Sequence, residues 1–252
     1  MVTHSKYHPH IRWASGLWDV LPAAPFFNPA PYNPKEQATR WAMIGAAAGT
    51  GPRLIQNLYG PVRIDGVEID PVVVEAGRRF FEMDMENFHV DVKDGRSWMN
   101  QTTNRYDVIL VDAYQQPYIP FELTTREFFQ TAHDRLNPTG VIAINVARPT
   151  GDYRLVNALA TTIDDVFAGV FLLHLPEKNK TTLIVGTNRP ATLDDFKANT
   201  AEVDVSLKFL VAITRDLVTD HYDPSIVLTD DRAPVERLMD LMIARFIQDL
   251  DS

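Results

Sequence analysis

The sequence predicts an α/β fold, in which helices cover both faces of a mostly parallel β-sheet. From residue 40 onwards, apolar runs of strand length alternate with segments whose apolar residues recur at helical spacing, and this alternation is typical of βαβ units. The runs Val108-Ile-Leu-Val111 and Val141-Ile-Ala-Ile144 are continuously apolar, as expected of central strands buried on both faces. With 252 residues, of which 45% are hydrophobic, the chain is long enough for one large domain.

Seven strands and their connecting helices can be placed from this patterning. The strands are expected at residues 41–45, 63–69, 88–93, 106–112, 140–147, 169–175 and 181–187. The helices are expected at residues 52–59, 71–82, 95–101, 124–136 and 152–167. Only residues 176–180 separate the last two strands, which is too short for a parallel crossover, so these strands should form an antiparallel hairpin. The result is a methyltransferase-type Rossmann fold, with a seven-stranded, mostly parallel sheet, a C-terminal antiparallel hairpin and flanking helices.

The segment before the first strand differs from this regular pattern. Its prolines at positions 22, 25, 29, 31 and 34 disfavour a long helix across that run. We therefore expect residues 1–40 to form an extended N-terminal arm, and residues 41–252 to form the Rossmann-like domain with its C-terminal helices. The side chains that would anchor the arm are Trp13, Trp18, Phe26 and Phe27.

The tail is expected to add further helices to the sheet domain. Two lie near residues 192–199 and 203–218, and a last helix follows Asp230 or Asp231, either of which could cap it, with Pro234 in its first turn. The apolar face of this last helix should pack on the sheet domain or on a partner subunit. That face consists of Val235, Leu238, Met239, Met242, Phe246 and Ile247.

Composition argues against several classes of function. The chain has no cysteine, so it forms neither disulfides nor thiolate metal sites. We expect no other metal site, because no carboxylate joins His4, His8 and His10 at ligand spacing. The formal charge of −9 argues against a nucleic-acid backbone as partner. No apolar run approaches the about 20 residues that cross a bilayer, and the N-terminus lacks the apolar core of a signal peptide, so we expect a cytoplasmic protein without a membrane span.

A glycine-bearing turn follows the first strand and should present backbone N–H groups to a ligand. Gly45, Gly49 and Gly51 lie between an apolar strand and a helical pattern, which is the geometry of a ligand-binding βα turn. Glu68 ends the second strand, roughly 20 residues further on, where an acidic side chain can hydrogen-bond a ribose. The alternative is an ordinary βα turn and a solvated glutamate at a strand end.

Two more polar segments end the third and fourth strands. Asp94 and Gly95 follow strand three, and Asp112 follows strand four, so both should converge with Glu68 on one crevice beyond the carboxyl ends of the strands. Asp94 could bind the amino group of an adenine, with Gly95 leaving room for the ring. It could also cap the helix that begins beside it, and the two roles are compatible.

Asp112 is the best candidate for catalysis, because it ends the central strand where the crevice should be deepest. A carboxylate there can hold a cationic amine and take its proton as the amine attacks. Alternatively, Asp112 only closes its turn by bonding its own backbone. Tyr114 and Tyr118 could line the substrate site or lie over a cation. Alternatively, they could only pack against neighbouring side chains.

These segments, in this order, resemble the spermidine synthase family. They are the turn from Ile44 to Gly49, Val67-Glu-Ile-Asp-Pro71, Asp94-Gly95 and Asp107-Val-Ile-Leu-Val-Asp112. Residues 112–129 and 228–235 are similar to bacterial spermidine synthase-like domains in particular, and the likeness covers about residues 15–247. Members of this family are polyamine aminopropyltransferases with the class I S-adenosylmethionine-dependent methyltransferase fold. They move an aminopropyl group from decarboxylated S-adenosylmethionine to a polyamine such as putrescine.

The resemblance implies a role for each candidate residue. Glu68 would bind the ribose hydroxyls, Asp94 would bind the adenine, and Asp112 would be the base, with Tyr114 beside it in the catalytic site. Residues 41–252 would form the adenosyl-binding domain. Its donor site would contain Gly45, Gly49, Glu68, Ile69, Asp94, Gly95 and Asp112. S-adenosylmethionine or its decarboxylated form would be the donor substrate, without a metal. A small-molecule amine would be the acceptor, and a homodimer is a candidate assembly.

The sequence departs from the family pattern where an acceptor's charges would be bound. Ala48 stands where the family's glycine loop carries an aspartate, and Gln115 stands where the fourth strand's motif has a second carboxylate. From the resemblance we expect the family's small N-terminal β domain to be missing here or reduced to residues 1–20. We therefore expect weak or absent aminopropyl transfer to putrescine. Two alternatives stay open, namely an S-adenosylmethionine-dependent methyltransferase and a nucleoside-binding protein without turnover.

Overall fold

The computed structural model describes most of the chain. The described residues are 5–10, 13–14, 16–114, 118–148, 151–176 and 181–250, the last six by their backbone only. Gln115 and His4, which enter the sequence argument, lie outside the described residues, as does the side chain of Phe246.

An eight-stranded sheet organises the fold. Its strands are β1 (Arg40–Ile44), β2 (Arg63–Glu68), β3 (Phe88–Val92), β4 (Tyr106–Val111), β5 (Leu136–Ala147), β6 (Gly169–His174), β7 (Thr181–Thr187) and β8 (Val218–Thr219). They lie in the order β3-β2-β1-β4-β5-β7-β6-β8. The first five strands are parallel to one another, while β7 inserts antiparallel between β5 and β6. The predicted fold class and its hairpin are therefore confirmed, and β8 is an additional strand.

Helices connect the strands and continue after the hairpin. They are α1 (Pro34–Gln37), α2 (Thr50–Tyr59), α3 (Pro71–Phe80), α4 (Gly95–Gln101), α5 (Arg126–Arg135), α6 (Arg154–Asp164), α7 (Leu193–Ala201), α8 (Lys208–Thr214) and α9 (Val235–Leu250). Short 3₁₀ helices span Leu17–Asp19, Leu21–Phe27, Phe121–Leu123 and Val205–Leu207. Among the helices that the structure describes, none combines the length and apolarity needed to cross a bilayer.

The sheet has an apolar core on each face. Ile109 and Val111 point into the layer formed with α4, α5, α6 and α9, whereas Val108 and Leu110 point into the layer formed with α2, α7 and α8. Because successive side chains of a strand alternate between faces, both layers need apolar residues, and this produces the continuous apolar runs of the sequence.

The segment before β1 belongs to the second core layer. Residues Leu21–Phe27 form a 3₁₀ helix whose side chains are all buried, and the ring of Phe27 lies 5.0 Å from that of Phe171 and 4.6 Å from that of Phe196. The expectation of an extended arm is therefore wrong for this stretch. Its prolines exclude a long helix but are compatible with a short 3₁₀ segment. Burying the apolar side chains of this segment stabilises the fold relative to leaving them in water.

The predicted helix 203–218 is also wrong in extent. That stretch divides into Val205–Leu207, α8 and β8, and in β8 Val218 and Thr219 pair with Leu173 and Leu172 of β6. The spacing of apolar residues in the stretch is helical, but its last residues pair with the edge strand β6 instead of continuing a helix. A pairing between residues so distant in sequence has no local signal.

The loop before α9 holds α5 rather than capping α9. Asp230 accepts hydrogen bonds from Thr125 Oγ1 at 2.6 Å and from Arg96 Nη2 at 2.9 Å, and its own N–H donates to Glu127 Oε2 at 3.0 Å. Because α9 begins only at Val235, the prediction of an Asp230 or Asp231 cap is wrong.

The apolar face of α9 packs on the sheet domain, as expected for the described part of the helix. Val235, Met239 and Met242 are buried in the layer that also contains α5 and α6. The hydrogen bonds of Asp230 and the apolar contacts of α9 together hold the C-terminal segment on the outer helices of the domain.

Replacing Phe27 tests the core role of the N-terminal segment. Phe27→Ala should lower the free energy of unfolding by about 3–5 kcal/mol, because it removes a fully buried ring between two others. Phe80→Ala is the matched control, since that ring is 69% exposed and its loss should change stability by less than about 0.5 kcal/mol. Urea denaturation measures both, and equal effects would contradict the assignment.

Candidate functional site

The carboxyl ends of the first four strands meet at one edge of the sheet. Ile44 of β1 is in register with Val67 of β2 and with Val111 of β4, and Glu68 is in register with Val92 of β3. The residues that directly follow these strands therefore lie side by side. The structure thus brings together the turn after β1, Glu68, the Asp94 region and Asp112, as the sequence predicted.

The turns after β1 and β4 touch at Gly45. Gly45 has φ +85°, and a Cβ on it would lie 2.3 Å from the carbonyl oxygen of Asp112. The N–H of Asp112 donates to Ile44 O at 2.8 Å. Only glycine fits here, because any side chain would meet backbone atoms that cannot move aside.

The turn after β1 leads directly into α2. Gly49 is the N-cap of α2 in the left-handed conformation, with φ +87°, and the helix begins at Thr50, two residues earlier than expected. Ala47 also has a positive φ, of 45°, which is uncommon for a residue with a side chain. The N–H groups of Gly45 and Ala46 donate to Val67 O, and that of Gly49 donates to Ala46 O, so these groups do not face a ligand as the sequence predicted.

Glu68 lies against this turn. Its Oε2 accepts a hydrogen bond from the N–H of Ala47 at 2.9 Å, and its Oε1 accepts one from the N–H of Asp70 at 3.1 Å. The carboxylate therefore bridges the two loops instead of ending in solvent.

Asp94, Gly95 and Ile69 occupy the next part of the crevice. Asp94 Oδ1 accepts a hydrogen bond from the N–H of Ser97 at 2.8 Å, so its predicted capping role in α4 is confirmed. A Cβ on Gly95 would lie 2.5 Å from Cγ2 of Ile44, so this glycine lets α4 approach β1 closely. Ile69, beside Glu68, is 57% exposed, and its place against a ligand stays a prediction.

Asp112 has the most perturbed carboxyl group of the site. It accepts a hydrogen bond from Nδ2 of Asn145, on β5, at 2.8 Å. Burial of the carboxyl group raises the pKa of Asp112 from 3.8 to about 7, and the hydrogen bond from Asn145 opposes that rise. A carboxyl group with this pKa exchanges protons readily near neutral pH.

Tyr114 and Tyr118 fasten the chain after Asp112 to different neighbours. The hydroxyl of Tyr114 donates to Asn145 O at 3.1 Å and accepts from the N–H of Ala147 at 2.7 Å. Burial and the charge of Asp112 raise the pKa of Tyr114, so the phenol stays protonated. The hydroxyl of Tyr118 donates to Asp240 on α9 at 2.6 Å. Their place beside a substrate stays a prediction.

Asn145 and Thr181 are the site residues that the sequence analysis missed. Thr181 Oγ1 donates to Asn145 Oδ1 and also lies 3.0 Å from Val146 O. The available signal was a single polar residue in the otherwise apolar run of β5 from Val141 to Ala147. Such a residue in a buried strand needs hydrogen-bond partners, and here one of them is Asp112.

Residues near the N-terminus cover the turn after β1. Ser5 Oγ accepts a hydrogen bond from the N–H of Ala48 at 3.0 Å. Lys6 exchanges two hydrogen bonds with the hydroxyl of Thr50, both of 2.8 Å. Ser5 and Lys6 therefore contact the same turn that the sequence analysis placed at the centre of the site.

Comparison with known proteins was made against protein families, curated sequences and solved structures. A family model described as the spermine/spermidine synthase domain matches residues 37–192, more than half of the chain. A probable polyamine aminopropyl transferase of Bifidobacterium longum is 29% identical over 221 residues, covering 81% of this chain and 49% of that protein. The polyamine aminopropyltransferase of Vibrio vulnificus is 30% identical over 184 residues, covering 71% of this chain and 56% of that protein.

The chain spans about half the length of these curated relatives. Among solved structures, a probable spermidine synthase from Corynebacterium glutamicum ATCC 13032 is similar with a TM-score of 0.61 and 19% identity, over 90% of this chain and 84% of that one. At this identity the likeness establishes the fold alone.

The close approach at Gly45 can be tested against Gly60, a second glycine with a positive φ, of 88°. Gly45→Ala and Gly60→Ala both place a side chain at a positive φ, but a Cβ on Gly60 would meet nothing within 4 Å. Gly60→Ala should cost about 1–2 kcal/mol of stability from backbone strain. Gly45→Ala should cost about 1–3 kcal/mol more from overpacking. Denaturation measures both, and equal losses would show that the two turns are not in contact.

Proposed function

We propose, because this chain belongs to the spermine/spermidine synthase family, that it transfers an aminopropyl group from decarboxylated S-adenosylmethionine to a small-molecule amine. The observation that carries the proposal is the partly buried carboxyl group of Asp112 at the carboxyl end of β4, with its pKa raised to about 7. It stands next to Gly45, where the turns after β1 and β4 meet. A carboxyl group that could accept a proton and the glycine-bearing turn thus lie at one edge of the sheet.

The donor would lie across the turn after β1 and the ends of β2 and β3. Glu68 would exchange its hydrogen bond with the N–H of Ala47 for hydrogen bonds to the two ribose hydroxyls. The adenine would lie near Asp94 and Gly95, with the exposed side chain of Ile69 against its face. These contacts need no metal ion, because each uses a carboxylate, a backbone group or apolar surface.

In the proposed reaction the lone pair of the acceptor amine attacks the carbon of the aminopropyl group that is bound to sulfur. The carbon–sulfur bond breaks, and its electron pair neutralises the sulfonium, so methylthioadenosine leaves. The nitrogen gives its surplus proton to Asp112. Asp112 must be ionised beforehand, so the rate should fall as the pH drops through about 7, the raised pKa of this group.

Ala48 supports a second candidate, a methyltransferase that uses intact S-adenosylmethionine. The methyl side chain of Ala48 is buried and has no charge to hold the amine of a decarboxylated donor. It also has no charge to repel the carboxylate of the intact donor. The two candidates share the adenosyl site and differ in which group leaves the sulfur.

Replacing Glu68 tests the adenosyl site. Glu68→Ala should weaken binding of methylthioadenosine about tenfold or more, because hydrogen bonds between the charged carboxylate and the ribose are lost. Glu75→Ala is the control, since Glu75 is exposed on α3 and pairs with Arg79. Calorimetry with methylthioadenosine, S-adenosylmethionine and its decarboxylated form measures the change. Unchanged binding in Glu68→Ala would remove Glu68 from the site.

Replacing Asp112 tests turnover. Asp112→Asn keeps the shape of the side chain and removes the proton acceptor, so transfer should slow by about 10²–10⁴ while nucleoside binding changes little. Both donors are assayed with a panel of amines that includes putrescine, for which we expect little or no product. Equal rates for wild type and Asp112→Asn would exclude Asp112 as the base.

The donor that is consumed decides between the candidate functions. Methylthioadenosine formed from the decarboxylated donor supports the aminopropyltransferase. Methyl transfer from the intact donor supports the methyltransferase instead. Tight nucleoside binding with no product from either donor would overturn both and leave a binding protein. Transfer to putrescine at an ordinary enzymatic rate of about 1–10³ per second would contradict the expectation drawn from Ala48.

A further inference from the structure

We propose that Asn145 is a positioning residue for Asp112, and that Thr181 fixes Asn145 in the orientation this requires. The catalytic purpose of this arrangement rests on the proposed function. The hydrogen bonds themselves do not depend on that function. Asn145 Nδ2 donates to Asp112 Oδ1 at 2.8 Å, and Thr181 Oγ1 donates to Asn145 Oδ1. The three side chains form one continuous chain of donors and acceptors across three strands.

The orientation of the Asn145 amide follows from its two neighbours. While Asp112 is ionised it can only accept hydrogen bonds, so the NH₂ group must face it. The opposite orientation would place the amide oxygen against a carboxylate oxygen, and two acceptors repel each other. With the NH₂ group facing Asp112, the amide oxygen is directed to the hydroxyl of Thr181, which can donate to it.

The backbone around these side chains is held on both sides. Asp112 N–H bonds to Ile44 of β1 at 2.8 Å, and Asn145 lies in β5 between β4 and β7. Tyr114 adds hydrogen bonds to the backbone of Asn145 and Ala147. Neither Asp112 nor Asn145 can therefore shift without breaking strand pairings, so the contact between them has a defined geometry.

This geometry leaves the second carboxylate oxygen for chemistry. Within the described residues, Oδ1 of Asp112 is bonded to Asn145, and Oδ2 has no hydrogen-bond partner. Asn145 thus presents one oxygen in a fixed direction and stabilises the charge that a base needs before it takes a proton. A residue that only packed β5 would not affect the titration of Asp112.

The test is the pKa of Asp112 itself, read without any turnover. Protein labelled with ¹³C at the aspartate carboxyl carbon is titrated by NMR, and the Asp112 signal is assigned by its loss in Asp112→Asn. Asn145→Leu keeps the size of the side chain and removes the N–H donor. It should raise the pKa of Asp112 by about one to two pH units, the strength of a hydrogen bond to a charged group.

Asn137 provides a matched control on the same strand. Asn137 Nδ2 donates to Asp107 Oδ1 at 2.6 Å, so it makes the same kind of contact at the opposite end of the sheet. Asn137→Leu should leave the pKa of Asp112 unchanged. An equal rise in both variants, or no rise in Asn145→Leu, would overturn the proposal.

Thr181→Val keeps the test decisive if Asn145→Leu does not fold. It removes the hydroxyl that orients the amide and leaves Asn145 in place, so a smaller rise in the pKa of Asp112 is expected. An unchanged pKa in Thr181→Val would contradict the role given to Thr181. Where turnover is found, the acid limb of the kcat profile should move to higher pH by the same amount while the affinity for methylthioadenosine stays constant.

The titration and the transfer assay can fail independently. If the pKa of Asp112 in Asn145→Leu equals that in wild type, the role of Asn145 is rejected, even if Asp112→Asn abolishes transfer. Conversely, a higher pKa of Asp112 in Asn145→Leu would support the hydrogen-bond chain. If wild type and Asp112→Asn then transferred at equal rates, the proposed function would be rejected.

Discussion

The contact between the turns after β1 and β4 is the constraint on which the candidate site depends. Position 45 must be a glycine, because a Cβ there would lie 2.3 Å from the carbonyl oxygen of Asp112. A hydrogen bond from Asp112 N–H to Ile44 O also joins the two turns. The contact places the proposed base beside the turn that would hold the donor.

The position of Asp112 is unfavourable for stability. Its folded pKa of about 7 lies above the ordinary 3.8, so between about pH 4 and pH 7 the folded protein binds more protons than the unfolded chain. Stability from this group is therefore lost as the pH rises through that window. A partly desolvated carboxylate that weakens the fold at neutral pH is typical of a functional position, and Asn145 limits the loss by stabilising the charged form.

Segments distant in sequence complete the surroundings of the crevice. Ser5 and Lys6 bind the turn after β1, and Asp230 holds α5 through Thr125 and Arg96. These contacts hold the turn after β1 and helix α5 in place. This matters for the proposed transfer, because a reaction between two small molecules requires walls that stay in place while both are bound.

The sequence by itself determined the features that depend on local chemistry. Apolar periodicity predicted the strands from β1 to β7 and the short hairpin link. Turn chemistry predicted the glycine turn and the Asp94 cap, and the polar residues that follow apolar strands predicted where the crevice would form. Tertiary structure alone decided the pairing of β8, the partners of Asp230 and the contact of Asn145 with Asp112. Each of these joins residues far apart in the chain, and the free energy of such contacts exists only after the sheet has brought its strands together.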